Sequence, residues 1–131
     1  MSDPVPAADV PAVVEARLSE EESEVLDAVA HAADAAADAT DPPGELDRLL
    51  SSGGVLGHLP GVLSRVVAAT GRRMRATPVA APPYVVVMSR GPLLRATLAD
   101  GRLVVTLAVF EVERGPTYRR VEGVEIDAAL R

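Results

Sequence analysis

The sequence predicts an α+β domain: two or three N-terminal helices packed on one face of a C-terminal antiparallel β-meander of about four strands. Three observations carry that prediction. Apolar residues recur at helical spacing as far as Gly71, the period changes to two from Met74 onward, and Asp100-Gly101 interrupts two alternating runs. Consecutive helices followed by consecutive strands indicate α+β rather than a parallel βαβ arrangement. With 131 residues the chain holds one domain's worth of sequence. We expect a flexible N-terminus over 1–10 and a single domain over 11–131, helical over 11–71 and a meander over 74–127.

The elements follow in chain order. Residues 1–10 are rich in Pro and Asp, and a short helix is expected from Pro11 to Leu18. Ser19-Glu20-Glu21-Glu22 reads as a capping box, with Ser19 as N-cap and Glu22 at the third helical position. The helix it opens carries Val25, Leu26, Val29, Ala32, Ala33 and Ala36 inward and Asp27, Asp34 and Asp38 outward, ending before Pro42-Pro43. A short helix from Glu45 to Ser51 presents Leu46, Leu49 and Leu50 and stops at Gly53-Gly54. A further helix from Leu59 to Thr70 buries Leu59, Val62, Leu63, Val66 and Val67, with Gly71 as its left-handed terminator.

In the meander, Asp100-Gly101 predicts a type I′ hairpin with Ala99 opposite Arg102. Leu94, Ala96, Leu98, Leu103, Val105, Leu107 and Val109 then form one apolar face for the helices to cover. Leu93, Arg95, Thr97, Val104, Thr106, Ala108, Phe110 and Val112 form a mixed opposite face. Strands over Tyr84–Ser89 and Thr117–Ile126 flank this hairpin, and Met74–Ala80 could add an edge strand limited by its prolines.

Composition excludes several chemistries. There is no Cys, hence no disulfide, thiolate metal site or cysteine nucleophile. All 13 basic residues are Arg, and Lys, Asn, Gln and Trp are absent, which removes Schiff-base and P-loop lysines and carboxamide readout. A bias towards GC-rich codons accounts for the abundance of Ala, Val, Arg, Gly and Pro. An acidic chain with Arg as its only strong cation also suits a high-salt cytosol, where screening lowers the cost of carboxylate repulsion. No secretory leader and no membrane span is apparent in the sequence, and we expect a cytoplasmic protein.

The net charge of −6 conceals an asymmetry. Residues 1–50 carry 13 acids and two Arg, a net −11, whereas residues 51–131 carry six acids and eleven Arg, a net +5.

Candidate sites are few. His31 and His58 lack ligand partners at i+3 or i+4, so no metal and no cofactor is expected. His31 reads as a partner of Asp27 and Asp34 on a helix surface, and His58 as a local hydrogen-bonder at a helix entrance. Gly53-Gly54-Val55-Leu56-Gly57 follows no strand and precedes no Lys, so it is an inter-helix loop, not a phosphate cradle. Ser89 would need His31 or His58 as its base, and both are remote in sequence. The feature with functional reach is the Arg set, from which Arg90, Arg95, Arg102, Arg119 and Arg120 are the candidates for binding an anion or a partner.

At Ala81-Pro82-Pro83-Tyr84-Val85-Val86-Val87-Met88-Ser89-Arg90-Gly91-Pro92-Leu93-Leu94-Arg95-Ala96-Thr97-Leu98, and again at Val109-Phe110-Glu111-Val112-Glu113-Arg114-Gly115, the chain resembles small conserved-hypothetical proteins of haloarchaea, a family of unknown function. The resemblance covers roughly 58–125 and implies a cytosolic, halophilic protein; it brings no catalytic residue, cofactor or partner. The first functional expectation is a non-enzymatic protein-interaction module, binding another protein or itself. The second is a nucleic-acid or anion binder using the Arg-bearing sheet face, and the third is a small enzyme.

Overall fold

The computed structural model describes residues 3–131, with Met1 and Ser2 of the expected flexible segment outside the described residues. Four helices, α1 (Val10–Glu21), α2 (Ser23–Ala36), α3 (Pro42–Ser52) and α4 (Val55–Ala69), precede four strands, β1 (Val85–Met88), β2 (Gly91–Leu98), β3 (Gly101–Glu113) and β4 (Thr117–Leu130). The strands form one antiparallel sheet in the order β1-β2-β3-β4. The fold class is the expected one. Among the described residues no helix is long and apolar enough to cross a membrane.

The helix boundaries differ from expectation for local reasons. Ser19 is not an N-cap: α1 runs through it, because Val10, Val14 and Leu18 form a fully buried stripe one turn apart and the chain stays helical to Glu21. The break falls at Glu22, whose backbone leaves helical geometry while its N–H still donates to Leu18 O at 3.1 Å. Glu22 closes no capping box either. Its side chain is buried, and Arg65 of α4 donates to both of its oxygens, at 2.5 and 3.1 Å. Pro42-Pro43, expected to stand beyond a helix end, instead starts α3. Asp41 caps that helix by accepting from Gly44 N at 3.2 Å, and prolines at the first two positions forfeit no hydrogen bond. The α4 helix begins at Val55, before Leu59, and carries Pro60 within it; Gly71 closes its end at φ 77° as expected. Ahead of α1, Ala7–Asp9 form a 3₁₀ turn and Val5 N donates to Thr70 O at 2.9 Å, which lays this segment against the end of α4.

The predicted apolar sheet face is the one the helices cover. Leu94, Ala96, Leu98, Leu103, Val105, Leu107 and Val109 are all buried. Helices α1 and α4 supply Val10, Val14, Leu18, Leu59, Leu63 and Val66 to a cluster with most of these residues. Helices α2 and α3 supply Val29, Ala33, Leu46 and Leu50 to a second cluster around Val109 and Phe110.

The hairpin register is shifted by two residues from the expected one, with a loop of the same length. Leu98 pairs with Gly101, Ala96 with Leu103 and Leu94 with Val105, so Ala99-Asp100 form the loop and Gly101 enters the strand. No non-glycine residue among those described has positive φ, which excludes the type I′ turn at Asp100. Gly101 is needed for a different contact. A Cβ there would lie 2.5 Å from Arg131 O, where the end of β4 crosses close by, and its own φ is +153°. Because side chains alternate with period two, this shift leaves every residue of the hairpin on its predicted face. Residues Met74–Ala80 form no strand; Pro78 within the stretch and Pro82-Pro83 just after it limit regular pairing before β1.

A bulge near Val109 does change faces. Val109 N and Phe110 N both donate to Arg90 O, at 2.8 and 3.0 Å, and the β3–β4 register slips between Ala108 and Phe110. On β4 the matching irregularity spans Val121–Val124, with Gly123 at φ 65°. Beyond it Phe110 turns to the helix side and is 1% exposed, contrary to its expected place on the mixed face.

Candidate anion-binding face

The sheet face opposite the helices is uncovered, and it bears the arginines. Arg90, Arg95 and Arg102 line one open groove of about 730 Å³ with Thr97, Thr106, Leu93, Val104, Asp127 and Arg131. Strand parity explains the convergence. Arg95 and Thr97 alternate with buried Leu94, Ala96 and Leu98 on β2, while Arg102, Val104 and Thr106 alternate with buried Leu103 and Val105 on β3. Arg90 stands at the β1–β2 turn and approaches Asp127 at 3.6 Å.

Arg119 and Arg120 do not join this groove. Arg119 lies beyond the bulge, paired with Glu111 and, at 3.0 Å, with Glu113. Arg120 is on the helix side. Its Nε donates to Asp34 Oδ1 at 3.0 Å, and its terminal nitrogens donate to the carbonyls of Ala30, Val109, Val121 and Gly123. One bulge therefore splits the predicted Arg set into a groove-lining group and a structural group. Asp34, expected beside His31, is engaged by Arg120 instead.

Arg131 belongs to the groove, and sequence reading missed it by ending the last strand at Ile126. The signal was present: Val124, Ile126, Ala128 and Leu130 continue the inward period, which puts Glu125, Asp127 and Arg131 outward. Arg75 and Tyr84 extend the basic surface beyond Arg95, with which they line an adjoining depression.

The loop carrying Arg102 is anchored to the helical layer. Arg72 is 9% exposed and donates through Nε and Nη2 to the Asp100 carboxylate at 2.9–3.1 Å, while its Nη1 donates to Thr70 O at 3.2 Å. Hydrogen bonding from Arg72 holds the Asp100 carboxyl below its ordinary range. A carboxyl whose folded pKa is depressed adds stability above its unfolded pKa and loses it as the pH falls through the folded value. We expect Asp100→Asn to remove that contribution. In denaturant titrations across pH, the gap between wild type and variant should be constant at neutral pH and shrink with acidification. A gap independent of pH would show that Arg72 does not act on the carboxylate.

Among the described residues, no side-chain hydrogen bond joins Ser89 to His31 or His58, and no three His, Cys, Asp or Glu side chains are grouped to hold a metal. Comparison with curated proteins gives no match, and comparison with solved structures gives none. A family model does match, over residues 12–131, and its description is a domain of unknown function (DUF7988). The expected resemblance to a family of unknown function holds at that level: the chain belongs to the DUF7988 family.

Proposed function

We propose that this chain is a non-enzymatic binding domain whose uncovered sheet face takes an anionic partner. The observation that carries this reading is the convergence of Arg90, Arg95 and Arg102 on one open groove, on the side of the sheet away from the acidic helices. Of the readings drawn from the sequence, the geometry supports the anion binder best. The acidic helical region does not lie over the arginines, so their charge is available to something outside the chain. Phe110 is turned away from the groove, and recognition there rests on guanidinium and hydroxyl groups rather than on base stacking. The composition, acidic with Arg as its only strong cation, supports a haloarchaeal cytoplasm as the setting.

The test is charge reversal. Arg95→Glu with Arg102→Glu should weaken binding of a labelled acidic peptide or single-stranded oligonucleotide by about tenfold or more, and flatten its salt dependence. Fluorescence anisotropy from low to molar KCl reads both quantities. Unchanged retention of both probes by the doubly reversed chain would overturn the proposal.

A further inference from the structure

Within this groove the strand register assembles a more specific arrangement, which rests on the anion-binding reading and sharpens it. Thr97 pairs with Arg102 across β2 and β3. Arg102 in turn exchanges both backbone hydrogen bonds with Arg131, at 2.8 and 2.9 Å. A hydroxyl and two guanidinium groups therefore stand in one row across three strands, on neighbours about 4.8 Å apart. Arg95 lies two residues along β2 from Thr97 and shares its face.

Two features of the row bear on what it binds. Like charges directly opposite each other on a sheet repel, and Arg102 faces Arg131. None of Arg95, Arg102 and Arg131 has a carboxylate side chain within 4.0 Å among the described residues, a state they share with Arg17, Arg73, Arg75 and Arg114; of these seven, only Arg95, Arg102 and Arg131 line the groove. Among the described residues the only acidic side chain lining the groove, Asp127, is four residues along β4 from Arg131, about 13 Å away at strand rise. In addition, Arg95 Nε is shielded from solvent and has no hydrogen-bond partner, a state that among the described residues it shares only with Arg17 Nε, which lies outside the groove.

We infer that Thr97, Arg102, Arg131 and Arg95 form a seat for a phosphate monoester dianion. A tetrahedral dianion supplies what the row lacks: two negative charges between two facing cations, and oxygens enough for several guanidinium donors and a hydroxyl at once. A carboxylate brings one charge and two oxygens and leaves part of the row unpaired. The ester is carried either by a small metabolite or by a phosphorylated protein side chain, since the open groove admits both.

The test uses the full chain at low ionic strength, with arginine Nε–H resonances followed by NMR. Inorganic phosphate, phenyl phosphate and a phosphoserine peptide are titrated separately, with sulfate and a Glu-for-phosphoserine peptide as controls. At pH 7.5 the Nε–H signals of Arg95, Arg102 and Arg131 should shift ahead of those of the other arginines. Affinity for the monoesters should fall about tenfold by pH 5, because the second phosphate pKa is near 6, while sulfate affinity stays level. Arg102→Ala and Thr97→Val, both at exposed positions, should each weaken monoester binding about threefold to tenfold with the far-UV spectrum unchanged. Tighter binding of phenyl phosphate assigns the seat to small metabolites, and tighter binding of the phosphopeptide assigns it to modified protein. Equal shifts at every exposed arginine, or monoester affinity that ignores pH, would overturn the seat. If oligonucleotide and acidic peptide still depend on Arg95 and Arg102 in that case, the groove reading survives without it. If they do not, both fail.

Discussion

Replacing Phe110 with Ala should destabilise the domain by about 3–5 kcal/mol, the range for removing a fully buried aromatic side chain. Phe110 is the only Phe in the chain and is 1% exposed, among Val29, Ala33, Leu46 and Leu50 of helices α2 and α3. Its ring meets that of Tyr118 edge-on, with centroids 6.5 Å apart, so truncation removes an aromatic contact as well as apolar burial. Phe110→Leu keeps most of the volume and should cost about 1–1.5 kcal/mol. Urea denaturation gives both values from the midpoint, provided the slope is unchanged. The outcome also tests the bulge. Were Phe110 on the arginine face, as the unbroken period implies, Phe110→Ala would cost under about 1 kcal/mol and would alter binding instead.

The second large effect is expected at its cross-strand neighbour, Arg120. This side chain is 16% exposed and donates to four backbone carbonyls: Ala30 on α2, Val109 at the β3 bulge, and Val121 and Gly123 in the irregular stretch of β4. One of these carbonyls is on a helix and three are at the bulge, and one planar guanidinium reaches them all. Arg120→Ala should cost about 1.5–3 kcal/mol, the range for losing hydrogen bonds to a charged group. Arg120→Lys should recover only a minor part, because an ammonium cannot span helix and bulge together. Asp34 is 68% exposed, so Asp34→Ala should cost less than about 1 kcal/mol although it breaks the ion pair. If Asp34→Ala proved as damaging as Arg120→Ala, the ion pair and not the carbonyl contacts would be what holds the bulge. Phe110 and Arg120 are paired residues, and their combined loss should depart from the sum of the two.

These two residues mark where the sequence was hard to read. Alternation along Leu93–Leu98 and Leu103–Leu107 is strict enough to assign each residue to a face, and the assignment survived a register two residues from the predicted one. A shift of two preserves parity. The insertion at Val109 reverses it, and Val109-Phe110 are both apolar, so nothing in the residue types announces the reversal. Arg119 and Arg120 were equivalent in sequence for the same reason: adjacent on a strand, they must point oppositely, and the bulge decides which one reaches the helices.

The helical boundaries teach a related lesson. Ser19-Glu22 satisfies a capping pattern and Pro42-Pro43 satisfies a stop pattern, yet both motifs are compatible with the opposite role. A run of good helix formers can pass through Ser19, and Pro is tolerated in a first turn as readily as beyond a last one. Tertiary burial chose between them. The α1 stripe continues to Leu18 against the sheet, and the Glu22 carboxylate pairs with Arg65 on α4 instead of with its own backbone.

By itself the sequence determined the class of fold, the order of its elements, the apolar sheet face and the placing of Arg95 and Arg102 on the other. Each follows from a period that chain geometry enforces over several residues. Only the tertiary structure decided which arginines share a groove, which one is bound up in holding a bulge, and that the acidic helices leave the groove open. Those outcomes turn on single-residue insertions and on contacts between residues as far apart as Asp34 and Arg120, and no local pattern encodes them.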